Sequence, residues 1–162
     1  DGDTVTIEDK ILQVVRTPGH ASNHICLFDA EHRCLFSGDH IIEGSSVLIK
    51  PPDGDMKSYL NSMKKIETFD INYIAPAHGG IIDNPYEVIK QTVNHRLERE
   101  QKIIECLRLH PKIKLSDLVK YAYDDTVTEI HFLAERSLLA HLLKLKKENI
   151  VIMDENKWCL VL

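Results

Sequence analysis

Three short turns in this 162-residue chain each close an apolar, β-prone run with a residue able to bind a metal ion. Ile11 to Val15 leads into Thr17-Pro18-Gly19-His20, and Cys34 to Phe36 leads into Ser37-Gly38-Asp39. Tyr73 to Ala75 leads into Pro76-Ala77-His78-Gly79. If the three runs lie side by side in one sheet, His20, Asp39 and His78 meet at one edge. Two imidazoles and a carboxylate suit zinc or a similar divalent ion. One histidine on a loop carries little weight, whereas three ligand-bearing strand ends in succession are a specific pattern.

These residues resemble the metallo-β-lactamase superfamily of metal-dependent hydrolases, whose third, fourth and fifth metal motifs match TPGH, SGD and PAHG. The stretch SGDHIIEGSSVLIKPPDGDMKSYLNSMKKI, with PAHGG and NHRLEREQKI after it, is similar to the β-lactamase-like protein 2 branch, whose members carry a winged-helix tail. The resemblance covers nearly the whole chain. It implies an α+β protein: the second half of a metallo-β-lactamase αββα sandwich followed by a winged-helix-like domain. Residues 1–84 would be the C-terminal half of the metallo-β-lactamase-like domain, and residues 85–162 a long helix plus the winged-helix-like domain.

The resemblance also implies the chemistry. Two zinc ions (Zn2+) would hold a bridging hydroxide, since a metal-bound water has its pKa lowered to about 7. His20 would complete one ion's shell and His78 the other's, while Asp39, the catalytic carboxylate, would touch both. The hydroxide would attack a carbonyl or phosphorus centre in an ester, thioester or phosphodiester, so the substrate is a small molecule or a nucleic acid.

The family's first metal motif, His-x-His-x-Asp-His, is absent, and only nineteen residues precede His20. The expectation is a C-terminal part of a longer enzyme whose missing N-terminal segment supplies the other ligands. Alone, the chain would bind metal weakly and be close to inactive. Its sheet would expose an apolar face that the missing segment, or a second copy in a homodimer, would cover. The competing class is a non-enzymatic winged-helix module that binds nucleic acid or protein, with vestigial metal loops.

The elements that would position these turns can be read along the chain. Thr4 to Ile7 and Ile11 to Arg16 form a hairpin across Glu8-Asp9. Pro18 and Gly19 stop the second strand. The family often has Ser or Thr at Ala21, so one hydrogen bond near the metal is expected to be missing. His24 leads into the strand Ile25 to Phe28, and either orients a ligand or begins a strand as a plain polar residue. His40 either faces the pocket or supports the loop. The turn 29–33 makes His32 a solvated residue. Glu43 to Asp55, rich in Gly, Pro and Ser, shapes access to the site or merely connects elements.

Asp55 caps a helix from Met56 to about Glu67, with Met56, Tyr59, Leu60, Met63 and Ile66 inward. The strand Ile71 to Ala75 follows. Asn84-Pro85 starts a helix to about Leu109, with a four-residue stripe through Val88 or Ile89, Val93, Leu97, Ile104 and Leu107 or Arg108. His95 and Arg96 fall on its solvated face. Ser116 caps a short helix, and a longer one runs from Thr128 to Lys147 with Ile130, Leu133, Ala134, Leu138, Leu142 and Leu145 inward. Ile150–Met153 and Trp158–Val161 make a closing hairpin, and Trp158 and Tyr123 belong to the core. Helix, helix, helix, hairpin is the order of a winged helix.

Bulk properties limit the alternatives. The chain is 43% hydrophobic and 28% charged, with a net charge of −5. Residues 1–86 carry 7 basic and 13 acidic residues, and residues 87–162 carry 13 and 12. A net +1 over the tail is a poor footprint for phosphate binding. Cys26, Cys34, Cys106 and Cys159 form no CxxC pair, which favours reduced thiols and a cytoplasmic setting. No run is long enough to span a membrane.

Overall fold

Short apolar, β-prone runs build the first sheet. The computed structural model describes residues 1–161. β1 (Thr4–Ile7) and β2 (Lys10–Arg16) pair antiparallel, with Thr4 opposite Gln13 and Ile7 opposite Lys10. β3 (Ile25–Asp29) and β4 (Cys34–Gly38) continue the meander, and α1 (Met56–Ile66) carries the chain to β5 (Tyr73–Pro76), which joins β4 in parallel. The spatial order is β1-β2-β3-β4-β5. Two antiparallel pairings separate β2 from β4, and one parallel pairing links β4 to β5. All three strands therefore run the same way and end at one edge of the sheet.

The two faces of the sheet differ. Val15, Cys26, Phe28, Leu35 and Ile74 are buried, as is the whole expected face of α1: Met56, Tyr59, Leu60, Met63 and Ile66. Asp55 caps α1 through a hydrogen bond that its carboxylate accepts from the Ser58 amide at 2.8 Å. The register puts Val5, Ile7, Ile25 and Phe36 on the opposite face, where all four are exposed.

Packing divides the chain into two units, residues 1–47 with 53–93, and residues 48–52 with 94–162. The division falls inside α2 (Pro85–Leu109), after Val93, where the shift in composition points to residue 84. The second unit holds the end of α2, α3 (Leu115–Ala122), a 3-10 turn at Thr128–Ile130, α4 (His131–Lys147), β6 (Val151–Asp154) and β7 (Lys157–Leu160). Ile113 pairs with Trp158 as an isolated bridge beside the β6–β7 hairpin. Leu107, Leu118, Leu138, Leu142, Leu145 and Trp158 form its core together with Tyr123.

Several local expectations shift. The buried stripe of α2 runs through Ile89, Arg96 and Ile103, and Leu97 is exposed. A strict four-residue step drifts off a helix of 3.6 residues per turn, whereas a seven-residue step stays on one face. Ser116 lies inside α3; the cap position is Lys114, with no side-chain cap bond. Ile130 and Leu133 are exposed: Ile130 lies in a 3-10 turn before α4, and Leu133, one residue before Ala134, falls outside the face of α4 that buries Ala134, Leu138, Leu142 and Leu145. All four cysteines are free, three of them buried.

Candidate functional site

The loop after β2 is held against α1 by backbone geometry. The Asp55 amide donates to the Gly19 carbonyl at 2.9 Å, and the Ser62 hydroxyl donates to the Pro18 carbonyl at 2.7 Å. Gly19 sits at φ +147°, and a Cβ there would lie 2.3 Å from the Tyr59 Cα. Only glycine lets the chain pass so close to the α1 backbone and turn out towards His20. The Asp53 carboxylate accepts from the Ser22 amide at 3.3 Å on the far side of the loop.

The loop after β4 closes on itself. The Ser37 hydroxyl donates to the Ile41 carbonyl at 2.8 Å, the His40 amide to the Ser37 carbonyl at 3.0 Å, and the Tyr59 hydroxyl to the His40 carbonyl at 3.1 Å. Asp39 is thereby held at the tip. The third loop is tied to the second by the Ala77 amide, which donates to the Gly38 carbonyl at 3.0 Å. The result brings His78 Nε2 to 3.2 Å from Asp39 Oδ1, with both side chains open to solvent.

That spacing suits a shared ion. Two ligands on one tetrahedral zinc, with bonds of about 2.0–2.1 Å, lie about 3.3 Å apart. His20, Asp39 and His78 do not close around a single point: among the described residues, the trio with ligand atoms within 4.8 Å of one another is Asp29, Glu31 and His32. A carboxylate shared between two ions, each with its own histidine, needs no such closure. The residues present thus fit part of a two-ion site. The Asp29 trio lies at the β3–β4 turn, where Asp29 accepts a hydrogen bond from the His32 amide and meets the His32 ring at 2.9 Å, so the ring is tied to the turn as well as solvated.

His24 and His40 stand behind the edge. The rings of His20 and His24 are 6.3 Å apart, those of His24 and His40 5.3 Å, and His40 lies 4.6 Å from the Tyr59 ring. Thr17, fully buried, meets His24 Nδ1 at 2.9 Å and Cys26 Sγ at 3.3 Å, while the Cys26 thiol donates to the Ser37 carbonyl at 3.6 Å. One proton arrangement satisfies all three contacts. Thr17 donates to Cys26 and accepts from His24 Nδ1–H, which leaves His24 Nε2 bare. Nε2 faces Gly38, 2.9 Å from where a Cβ on that residue would stand.

Burial lowers the His24 pKa, with His20 adding to the effect and Asp39 opposing it. Burial, then His24 and His20, lower His40 to about 3, so its ring is neutral; among the described residues, neither of its nitrogens has a hydrogen-bond partner. Tyr59 is a part of the site that residue type alone does not reveal, since it reads as an ordinary core residue of α1, and the TPGH turn alone does not show that Thr17 holds His24.

Residues 1–78 match the family model of the metallo-beta-lactamase superfamily, and residues 115–158 match that of the beta-lactamase associated winged helix domain. The chain is 34% identical over 152 residues to the beta-lactamase-like protein 2 homolog of Caenorhabditis elegans, covering 93% of this chain and 50% of that protein. It is 32% identical over 111 residues to a protein of Emericella nidulans named thioesterase pkgB, covering 68% of this chain and 31% of that one. Its fold matches the crystal structure of a metallo-beta-lactamase family protein from Thermus thermophilus with a TM-score of 0.87 at 21% identity, over 99% of this chain and 53% of the other. The chain spans about half the length of the beta-lactamase-like protein 2 relative it matches. It belongs to the metallo-beta-lactamase superfamily, with a beta-lactamase associated winged helix domain after the metallo-beta-lactamase portion.

Proposed function

We propose that the chain contributes part of the active site of a di-zinc hydrolase, with His20 on one ion, His78 on the other and Asp39 shared between them. The observation that carries this is the approach of His78 Nε2 to Asp39 Oδ1 at the common end of two parallel strands. Ions held there would supply a nucleophile at neutral pH and polarise the bond under attack. The chain's own residues orient that centre. The Ser37-to-Ile41 loop fixes Asp39, α1 fixes the His20 loop, and Thr17 keeps His24 in one tautomer with its bare nitrogen towards Gly38.

An ester or thioester substrate fits better than a polyanion. A relative of this chain is named a thioesterase. In the winged-helix unit, Arg99, Lys102, Lys112, Lys120 and Lys144 are each paired with an acidic side chain, so their charge is spent internally. One histidine per ion plus a shared carboxylate is fewer ligands than zinc sites use, so this chain by itself would bind metal weakly and turn over little substrate. The free thiols suit a reducing compartment such as the cytoplasm. Among the described residues no helix is long and apolar enough to cross a membrane.

The test is elemental analysis of zinc per chain on protein purified without chelator, followed by Zn(II) titration, with Asp39→Ala alongside. The expected result is substoichiometric zinc and weak binding that the substitution abolishes. Tight zinc that survives Asp39→Ala would overturn the assignment. A salt-dependent shift of short RNA without metal binding would replace it with the nucleic-acid module.

A further inference from the structure

The loop that carries His78 is fastened on both sides, and the second fastening comes from a residue with no metal role. Before His78, the Ala77 amide is bound to Gly38 at 3.0 Å. After it, the Gly80 amide donates to Glu43 Oε2 at 2.6 Å. Glu43 sits on a tight turn that Ile42 and Ser45 close as a bridge, with Gly44 at φ +67°. Buried Ile41 and Val47 anchor the turn on either side. We propose that Glu43 is a positioning residue: its carboxylate clamps the Gly79-Gly80 segment and so sets the approach of His78 to Asp39. The proposal rests on the metal reading above.

Two features separate this contact from an ordinary surface hydrogen bond. The bond, at 2.6 Å, is short for an amide–oxygen contact. The segment is also shaped to receive Glu43. Gly79 stands at φ +89°, and a Cβ there would lie 2.7 Å from the Glu43 Cβ and 3.4 Å from its backbone nitrogen. A side chain at residue 79 would push the turn and the loop apart. A hydrogen-bonded partner that orients a metal-ligand loop is typically worth about 10-fold or more in metal affinity.

The test is a Zn(II) titration of the chain followed by NMR at the His78 ring, for wild type, Glu43→Ala and Glu43→Gln, with unfolding midpoints measured in parallel. Glu43→Ala should weaken the affinity reported by His78 about 10-fold, move the Gly80 amide proton upfield, and leave the midpoint unchanged. Glu43→Gln retains an acceptor oxygen and should stay within about threefold of wild type. Equal affinities in all three proteins would overturn the proposal. So would a Gln variant as weak as the Ala variant, since charge rather than the hydrogen bond would then be at work. If His78 in the wild type does not respond to Zn(II), the metal reading falls. The clamp is still decided by the metal-free spectra: Gly80 amide and His78 ring shifts that do not change in Glu43→Ala would overturn it.

Discussion

His40 and His141 are both fully buried imidazoles, one in each unit, and they are held in opposite ways. His141 meets Glu100 Oε2 at 3.4 Å, and Glu100 in turn accepts from Lys144 at 2.7 Å. Burial lowers the His141 pKa, and Glu100 pulls it back. His40 has other imidazoles for neighbours and, among the described residues, no hydrogen bond on either ring nitrogen. The winged-helix unit sets Glu100 and Lys144 against one nitrogen of its buried ring, while His141 Nε2, among the described residues, has no hydrogen bond. The sheet unit accepts an unsatisfied buried ring next to loops that leave Asp39 and His78 open to solvent. The two units thus direct their polar side chains differently: one towards its own stability, the other towards a site.

The largest test of that contrast is Lys144→Met. It removes the cation from Glu100 and Glu148 in a mostly buried setting. Breaking such a pair costs about 3 kcal/mol, and chemical denaturation should show the loss in the winged-helix unit alone. Replacing Glu100, His141 and Lys144 together by apolar side chains of similar size should restore most of it. If the triple replacement is worse than the single one, the network is more than self-neutralisation.

Acid should act next, and mainly on the sheet unit. The folded pKa of His40, about 3, lies below the ordinary histidine value of 6.5. The unfolded chain therefore binds the proton first. The stability that neutral His40 permits is present above pH 6.5 and is lost as pH falls towards 3. Between pH 7 and pH 5 this amounts to about 2 kcal/mol. Urea unfolding at both pH values should show it, and His40→Phe should flatten the dependence. Parallel pH slopes in wild type and His40→Phe would remove the contrast between the two histidines.

Thr17→Val should cost about 1–2 kcal/mol, since it removes the hydroxyl contacts to both His24 and Cys26, and should release the His24 tautomer. Nitrogen NMR of the His24 ring would show the mixed protonation that the wild type lacks. The smallest effect is expected at Lys120→Ala. It breaks an exposed i,i+3 pair with Asp117 and should shift stability by less than about 0.5 kcal/mol.

Much of the site can be read locally. The turns TPGH, SGD and PAHG fall at the ends of β2, β4 and β5, and the buried face of α1 is the one its spacing gives. Strand ends and helix faces follow from short-range periodicity and turn chemistry. The misses are of another kind. Arg96 reads as a solvated residue on a charged helix, yet it is buried. Ile130 fits an inward stripe until a 3-10 turn displaces it, and Leu133 lies off the buried face of α4. A helical pattern says which residues share a face, but not which face the rest of the protein covers.

Residue order alone settles which ligand types stand at which strand ends, because glycine, proline and the apolar runs around them act over a few residues. It takes tertiary packing to pair β4 and β5 in parallel through α1, which brings Asp39 and His78 within 3.2 Å. The same is true of the Glu43 contact with Gly80, 37 residues along the chain. Contacts at that separation depend on how strands register and loops close in space, and no local preference encodes that distance.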